Sequence, residues 1–174
     1  MSKAVFLDRD GVINVDSGYV HSKEKFIFIE NIFDLCLHLQ NLGYLLIVIT
    51  NQSGIDRGYY TEETFNQLSK WMTDTFKKNH IEISKVYYCP DTPEKATFMR
   101  KPNPGMILNA KEEFDIDLDK SWLIGDKLTD IEAGENAKIN NLILFQESSA
   151  LHKKDKERYH ITCSLNEIKN IISR

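Results

Sequence analysis

Short apolar runs alternate with longer amphipathic stretches along this chain of 174 residues. The apolar runs are continuous, as is typical of buried strands, and they lie at Ala4–Leu7, Tyr44–Ile49, Val86–Tyr88, Trp122–Ile124 and Leu142–Phe145. Apolar residues at helical spacing predict helices over Asn31–Leu42, Thr61–Asn79, Leu128–Asn136 and Ser164–Ile172, with another that starts at Asn103. Strands that alternate with helices predict an α/β fold, a Rossmann-like three-layer sandwich around a central parallel sheet.

Residues at the ends of these stretches predict where the helices begin and stop. Asn31, Thr61 and Ser164 can each accept a hydrogen bond as a helix N-cap. Asn103 is followed by a proline, which favours the first helical position. Gly43 predicts the end of the first helix, because glycine readily adopts the left-handed conformation that closes many helices.

Composition narrows the class of protein. The net charge is -4 and the isoelectric point about 5.7, which gives no electrostatic reason to bind nucleic acid or an anionic membrane. No run approaches the roughly 18 apolar residues that span a bilayer. Three cysteines, an odd and sparse set, predict free thiols in a reducing compartment. We therefore expect a cytoplasmic protein with a single domain over residues 1–174, on which the charge-dense stretch 152–158 is a solvated surface.

Two aspartates follow the first predicted strand, at the edge where parallel sheets bind ligands. Side chains alternate in extended backbone, so Asp8 and Asp10 should emerge on one side while Arg9 points away. Two carboxylates in one mouth repel each other unless a cation or a proton separates them. On its own the segment is equally well explained as a structural turn, in which Asp and Gly are common.

Polar and charged residues also follow the other strands. Thr50–Gly54 offers hydroxyls and amides to phosphate oxygens, and Arg100 and Lys101 precede a helix N-terminus that attracts anions. Asp126 could hold a metal, and Asp130 could do the same or position Asp126 or a basic neighbour. Each feature alone is also common in structural turns and caps. Together these hard oxygen ligands at one edge of the sheet predict a Mg²⁺ site that takes a substrate phosphate.

At these positions the chain resembles the haloacid-dehalogenase superfamily. Phe6–Gly11 resembles its first motif, Thr50 its second, Lys101 its third and Gly125–Asp130 its fourth. A wider resemblance is to the heptose 1,7-bisphosphate 7-phosphatases, whose subfamily includes the histidinol-phosphate phosphatases. It is carried by Asp8–Asn14, Gly18–Val20, Thr50–Ile55, Arg57–Gly58, Tyr87–Pro90, Arg100–Pro102 and Pro104–Met106. The resemblance weakens after about Phe145.

This resemblance implies removal of the 7-phosphate of D-glycero-D-manno-heptose 1,7-bisphosphate through a phospho-aspartate, in nucleotide-activated heptose synthesis for a surface glycan. Asp8 would be the nucleophile, and Asp10 the general acid and then the base. Thr50 and Lys101 would hold the transferring phosphoryl group. Mg²⁺ would be bound by Asp8, the main-chain carbonyl of Asp10, and Asp126. The residues expected to contact substrate are Arg9, Asp16, Ser17, Gly18, Tyr19, Asn51, Gln52, Ser53, Arg100 and Lys127.

The spacing of the motifs leaves no room for a separate cap domain. Only 42 positions separate Asp8 from Thr50, and 51 separate Thr50 from Lys101. We expect residues 12–29 to form a short flap, with loops supplying selectivity. Arg100 is the strongest candidate for recognising the retained phosphate, and Arg57 a weaker one. The expected partner is a small sugar bisphosphate, with no nucleic acid and no membrane, and the expected state is a monomer.

The chain departs from the family in the loop before the third motif. Family members often build a zinc site there from three cysteines and one histidine. Here Cys89 remains, but Asp91 stands at the position of the histidine and Thr97–Met99 replaces two cysteines. One thiolate and one carboxylate do not complete a structural zinc site. We therefore expect no zinc, and a loop held by apolar contacts of Phe98 and Met99 and by its prolines.

Other functions compete with this interpretation. A histidinol-phosphate phosphatase would use the same chemistry, although Gly18, Tyr19 and Arg100 favour the heptose substrate. A phospho-accepting signalling domain also places aspartates at strand ends, but it does not need Asp10 to discharge the phosphoryl group. A catalytically silent interaction module is disfavoured because all four chemical positions are filled.

Overall fold

A parallel sheet lies at the centre of the computed structural model, which describes residues 1–146 and 158–173. Its strands are β1 (Lys3–Leu7), β2 (Tyr44–Asn51), β3 (Ile83–Cys89), β4 (Trp122–Gly125), β5 (Asn141–Phe145) and β6 (His160–Thr162). They lie in the order β3-β2-β1-β4-β5-β6, and each neighbouring pair is parallel. The predicted α/β fold with a central parallel sheet is confirmed.

Helices cover both faces of this sheet. Those described are α1 (Ile32–Asn41), α2 (Glu62–Lys78), α3 (Gly105–Phe114), α4 (Leu128–Asn136) and α5 (Leu165–Ile171). In β1, Val5 and Leu7 face the core formed with α1, α2 and α5, whereas Ala4 and Phe6 face the core formed with α3 and α4. Because both faces are buried, the strands are continuous apolar runs rather than alternating ones.

The strand order sets the position of the candidate residues. β1 lies between β2 and β4, so the chain winds outward in two directions from this strand. In parallel sheets, such a reversal opens a crevice beyond the carboxyl ends of the strands. Leu7 pairs with Val48 of β2 and Ile124 of β4, which brings the ends of these three strands level. Asp8, Thr50 and Asp126 therefore meet at one edge.

The segment 12–29 folds onto the core as the expected flap. Its one helical piece is a 3₁₀ turn at Lys23–Lys25. Val12 and Val20 are fully buried, and backbone hydrogen bonds join its two ends, from Val15 N to Ile27 O (2.8 Å) and from Ile29 N to Ile13 O (2.9 Å). The flap is thus anchored at its base.

Of the four predicted helix caps, two are confirmed with their hydrogen bonds, one is confirmed in position alone and one is wrong. The hydroxyls of Thr61 and Ser164 accept hydrogen bonds from the backbone of their helices. Asn31 precedes α1 but has a left-handed backbone (φ 68°) and no capping bond. Asn103 instead donates to Thr97 O (2.9 Å), and α3 begins only after Pro104. Asn103 thus holds the loop before α3 rather than the helix itself.

Three further observations concern the last strand, the charge-dense stretch 152–158 and the lengths of the helices. The short strand β6 was not predicted, because its three residues carry no periodic signal. The charge-dense stretch 152–158 lies outside the described residues except for Arg158, which forms an ion pair with Glu135. Within the described ranges, no helix is long and apolar enough to cross a membrane.

Candidate active site

Asp8 stands directly beyond β1 and is almost completely buried. Its carboxylate Oδ1 accepts hydrogen bonds from the backbone N of Arg9 (2.8 Å) and lies 2.9 Å from Lys101 Nζ. Burial raises the pKa of Asp8 well above its ordinary value, and the neighbouring Asp130 carboxylate raises it further. A positive charge close to this group would therefore favour its ionised, nucleophilic form.

Lys101 supplies one such charge from a fully buried position. Its Nζ lies 2.5 Å from Asp130 Oδ1 as well as 2.9 Å from Asp8 Oδ1, and it donates to Ile49 O (3.0 Å). Burial alone would lower the pKa of Lys101, but the two carboxylates outweigh it and raise the pKa above the ordinary value. The lysine is therefore a fixed cation that joins Asp8, directly after β1, to Asp130 in the first turn of α4.

Asp130, in the first turn of α4, has hydrogen-bond partners that favour one of its open roles. Its Oδ2 accepts from the backbone N of Asp126 (3.1 Å) and of Lys127 (3.0 Å), while Oδ1 pairs with Lys101. Both oxygens are thus engaged in positioning Asp126 and the lysine. This matches the prediction that Asp130 could position Asp126 or a basic neighbour.

Asp126 has the properties of a metal ligand. Its Oδ1 is buried and has no hydrogen-bond partner among the described residues, which is costly unless a cation binds there. Oxygens of Asp8, Asp126 and Asp130 lie within 4.8 Å of one another, and burial raises the pKa of Asp126. Three carboxylates this close repel one another. The donor set is all oxygen and fits Mg²⁺.

Gly11 makes room for this arrangement. Its φ is +92°, and a Cβ at this position would lie 2.1 Å from Asp126 Oδ2. Only glycine therefore combines the turn after Asp10 with the close approach of Asp126.

Three donors hold the carboxylate of Asp10. Arg9 Nη2 (2.7 Å) and Asn14 Nδ2 (3.0 Å) donate to Oδ1, and Gln52 Nε2 (2.9 Å) donates to Oδ2. Arg9 is 1% exposed and also donates to Val20 O in the flap. Its guanidinium thus turns towards Asp10, although alternation along the strand predicts that Arg9 points away from it. The guanidinium lies under the flap, and the expected contact of Arg9 with substrate stays a prediction.

A cavity of about 400 Å³ opens beside these groups. The predicted residues that line it are Asp8, Asp10, Asp16, Gly18, Tyr19, Asn51, Gln52, Ser53, Arg100, Lys101 and Lys127. Thr50, Asp126 and the exposed Ser17 are not part of this lining, and the expected contact of Ser17 with substrate stays a prediction. Tyr60 and Thr129 also line the cavity and were not predicted. Thr129 could have been found from the fourth motif, in which it lies, whereas no motif or periodic pattern marks Tyr60 in the sequence.

Cations stand at the rim of the cavity. Arg100 Nη1 donates to Asp91 O (2.6 Å), which fixes the side chain at the cavity wall. Lys127 Nζ lies 2.9 Å from Asp16 Oδ2. Burial would raise the pKa of Asp16, but its hydrogen bonds with Lys127 and the backbone lower it. Arg57, the weaker candidate, is exposed and not part of this wall.

Hydrogen bonds centred on Asp91 hold the loop before the third motif. Asp91 Oδ2 accepts from Thr97 N (3.0 Å), and Thr97 Oγ1 in turn accepts from Met99 N (3.2 Å). Met99 packs against the core as predicted, but Phe98 is 60% exposed, so its expected role is wrong. The residue at the position of the family's histidine thus organises the loop through hydrogen bonds.

Comparison with known proteins identifies the family. A family model described as HAD-hydrolase-like matches residues 98–167. A D-glycero-alpha-D-manno-heptose-1,7-bisphosphate 7-phosphatase from Burkholderia mallei is 49% identical over 156 residues, covering 86% of this chain and 82% of the relative. A D-glycero-beta-D-manno-heptose-1,7-bisphosphate 7-phosphatase from Helicobacter pylori is 50% identical over 147 residues, covering 83% and 85%.

A solved structure extends the match over nearly the whole chain. It is the D,D-heptose 1,7-bisphosphate phosphatase from B. bronchiseptica, complexed with magnesium and phosphate. The TM-score is 0.86 at 26% identity, covering 98% of this chain and 97% of that one. At 49% and 50% identity to relatives that it matches over most of their length, the chain belongs to the haloacid-dehalogenase-like hydrolases, in the family of the heptose 1,7-bisphosphate 7-phosphatases.

Proposed function

We propose that this protein is a magnesium-dependent phosphatase that removes the 7-phosphate of D-glycero-D-manno-heptose 1,7-bisphosphate, in the synthesis of nucleotide-activated heptose. The observation that carries the proposal is the position of Lys101 Nζ, 2.9 Å from Asp8 Oδ1 and 2.5 Å from Asp130 Oδ1, at the edge of a cavity. This geometry supports a nucleophilic carboxylate next to a fixed cation. The names of the relatives support the substrate.

In the first half of the proposed reaction, a carboxylate oxygen of Asp8 attacks the phosphorus of the 7-phosphate. The bond from phosphorus to the sugar oxygen breaks, and Asp10 gives its proton to the leaving alkoxide. General acid help of this kind contributes roughly 10²–10⁴-fold. Lys101 and the hydroxyl of Thr50 hold the phosphoryl oxygens, on which negative charge remains through the transition state.

In the second half, water attacks the phosphorus of the phospho-aspartate. Asp10, now ionised, takes the proton of that water, inorganic phosphate leaves and Asp8 is regenerated. The route through a covalent intermediate replaces one difficult displacement with two easier ones. Asp10 therefore has to be aimed at the same point in both halves.

We propose that Mg²⁺ is held by the side chains of Asp8 and Asp126 and by the main-chain carbonyl of Asp10, with Asp130 positioning Asp126. The carbonyl of Arg9, not that of Asp10, accepts the hydrogen bonds of the turn that follows β1. This supports a role for the Asp10 carbonyl as a ligand. When bound, the ion would offset the repulsion between these carboxylates and the substrate phosphate.

The phosphate that remains on the sugar is proposed to meet Arg100 and Lys127 at the rim. Arg100 can present a planar, permanently charged fork to phosphate oxygens. Lys127 is paired with Asp16, so an arriving phosphate would compete with that carboxylate for the lysine. The retained phosphate should therefore contribute mainly to substrate binding.

Phosphate release tests the proposal directly. The α and β anomers of heptose 1,7-bisphosphate and histidinol phosphate are assayed side by side with Mg²⁺, with Asp8→Asn as the control. The named relatives include both α and β enzymes, so the preferred anomer is itself a result of this assay. A preference for either heptose anomer that Asp8→Asn abolishes is the expected outcome. A preference for histidinol phosphate would overturn the substrate, and activity that survives in Asp8→Asn would overturn the mechanism.

We further propose that the chain acts as a cytoplasmic monomer with one domain over residues 1–174. Its compartment is supported by the free thiols of Cys36, Cys89 and Cys163, which are typical of a reducing environment. Light scattering on the eluting protein and limited proteolysis test the proposal, and a dimer or a stable fragment would contradict it.

The loop between β3 and the third motif is proposed to bind no zinc. The donors there are one buried thiol, Cys89, and the carboxylate of Asp91, and that carboxylate already accepts from Thr97. Elemental analysis should find less than stoichiometric zinc. Zinc at one equivalent that disappears in Cys89→Ser would contradict this.

A further inference from the structure

The amide of Gln52 is the least expected feature of the site. The residue was predicted to contact substrate, yet it is 2% exposed and its polar atoms are engaged within the protein. Nε2 donates to Asp10 Oδ2 (2.9 Å) and to Thr50 Oγ1 (2.8 Å), and Oε1 accepts from the hydroxyl of Tyr60 (2.6 Å). Both amide protons are therefore used, which leaves none for a ligand.

The chemistry of the partners fixes the orientation of this amide. An ionised carboxylate only accepts hydrogen bonds, so the NH₂ group of Gln52 has to face Asp10 and the oxygen has to face Tyr60. The hydroxyl of Thr50 accepts from the same NH₂ group, and its own proton remains available to a phosphoryl oxygen. One amide thus orients two groups that the proposed reaction needs.

Tyr60 is built into the fold as a rigid donor. It is 8% exposed, and its ring stacks on that of His21 with centroids 5.0 Å apart and an angle of 10° between planes. The ring also fills the space above Gly54, where a Cβ would lie 2.1 Å from Tyr60 Cε1. Burial raises the pKa of Tyr60 to about 12, so the hydroxyl keeps its proton at neutral pH.

We propose that Tyr60 is a positioning residue for phosphoryl transfer, which acts through Gln52 on the carboxylate of Asp10. This inference rests on the proposed phosphatase function. The contact from the Gln52 amide to Asp10 Oδ2 fixes the plane of the carboxyl group, so the same contact aims the group as acid and as base. Without the tyrosine hydroxyl, the buried amide oxygen loses its donor and the amide is free to rotate.

The relay predicts a specific dependence on the leaving group. An alkoxide leaves poorly unless Asp10 protonates it, whereas p-nitrophenolate leaves readily without a proton. Misaligning Asp10 should therefore slow attack on a sugar phosphate far more than attack on p-nitrophenyl phosphate. A general loss of structure would slow both alike.

The experiment compares kcat/KM of the Mg²⁺-loaded wild type and Tyr60→Phe on heptose 1,7-bisphosphate and on p-nitrophenyl phosphate. For each substrate, kcat/KM reports the steps up to and including phosphoenzyme formation. We expect a fall of roughly 5- to 50-fold on the sugar phosphate, as for the loss of one buried hydrogen bond, and of at most about twofold on the aryl phosphate. Tyr87→Phe, which removes another largely buried tyrosine hydroxyl bonded to Glu113, is the matched control and should change neither value.

Two further readouts separate the relay from a merely structural role. The aryl substrate should give a larger pre-steady-state burst in Tyr60→Phe, because hydrolysis of the phosphoenzyme also depends on Asp10. In the Gln52→Ala background, Tyr60→Phe should add less than about twofold, because the two changes break one path. Equal losses on both substrates, no loss on either, or additive effects in the double variant would overturn the relay. If the wild type prefers another alkyl phosphate, the substrate assignment fails and the relay is measured on that compound.

Discussion

The buried lysine at the centre of the site allows a quantitative test of how the site is held together. Lys101→Met keeps the length and apolar stem of the side chain but removes its charge. In the wild type the ammonium lies 2.9 Å from Asp8 and 2.5 Å from Asp130, with its side chain 3% exposed. The variant leaves these two carboxylates buried together without a cation.

The structure sets the size of the expected loss. At these distances and an effective dielectric constant of about 20, each ion pair is worth on the order of 5 kcal/mol of gross attraction. Desolvation of the charges cancels much of this, but a broken buried pair still costs about 3–5 kcal/mol because the remaining charges stay uncompensated. Against a total free energy of unfolding of roughly 5–15 kcal/mol, such a loss is readily measured.

Magnesium and pH should each reduce this loss. A ligand that binds only the folded state adds about 2.7 kcal/mol at 100 times its Kd, and the uncompensated carboxylates should bind Mg²⁺ more tightly. In the wild type, burial and Asp130 raise the pKa of Asp8, and Lys101 lowers it. Lys101→Met removes the lowering effect, so in the metal-free variant the pKa of Asp8 rises further. The folded variant then holds a proton that the unfolded chain has released. Its free energy of unfolding should therefore increase as pH falls from neutral towards the ordinary carboxyl pKa of about 4.

Urea unfolding followed by circular dichroism, with and without Mg²⁺, measures these quantities. Lys85→Met is the matched control, because that lysine pairs with Glu113 on the surface with 42% of its side chain exposed. The control should lose at most about 1 kcal/mol. A loss of that small size in Lys101→Met as well would refute the reasoning on the buried pairs. Failure of Mg²⁺ to stabilise either protein would refute the metal site.

Three further predictions address the loop, the turn and the thiols. Asp91→Ala should raise KM for the bisphosphate roughly 3- to 10-fold, because it frees the loop that anchors Arg100. Asp91→Asn keeps an acceptor and should leave KM unchanged, and steady-state kinetics distinguishes the two. Gly11→Ala should lower kcat/KM by more than about 100-fold and abolish stabilisation by Mg²⁺, because the added Cβ would collide with the Asp126 carboxylate. Normal stabilisation by Mg²⁺ would contradict this. Iodoacetamide at pH 8 should label Cys163, which is exposed, and spare Cys36, whose pKa burial raises to about 12; peptide mass spectrometry reads this out.

Local patterns in the sequence predict the sheet and most of the helices well. Apolar runs locate five of the six strands, and hydroxyl caps at Thr61 and Ser164 mark two helix starts. The errors arise where an asparagine has a partner outside its own helix, as Asn103 does at Thr97 O. Such contacts depend on where a loop passes in space, which spacing along the chain does not encode.

The same division applies to the site. The apolar run of β1 correctly places Asp8 at the sheet edge, because strand geometry is local, but alternation does not predict that Arg9 Nη2 reaches Asp10 Oδ1 (2.7 Å). The roles of Gln52 and Tyr60 depend on how the loop after β2 folds back over Gly54, and eight positions in irregular backbone give no periodic signal for that contact. The anchoring of Arg100 by the Asp91 carbonyl is likewise a backbone contact that no side-chain pattern reveals.

Charge balance explains how an acidic chain can take an anionic substrate. The carboxylates at the sheet edge belong to Asp8, Asp10, Asp126 and Asp130. When all four are ionised, the buried cations Arg9 and Lys101 beside them leave a deficit of two positive charges, which is the charge of one divalent ion. With that ion bound, the interior of the site is balanced, and the negative charge of the substrate is met by Arg100 and Lys127 at the rim. The net charge of -4 is therefore no obstacle, because the balance that attracts phosphate is local to the edge of the sheet.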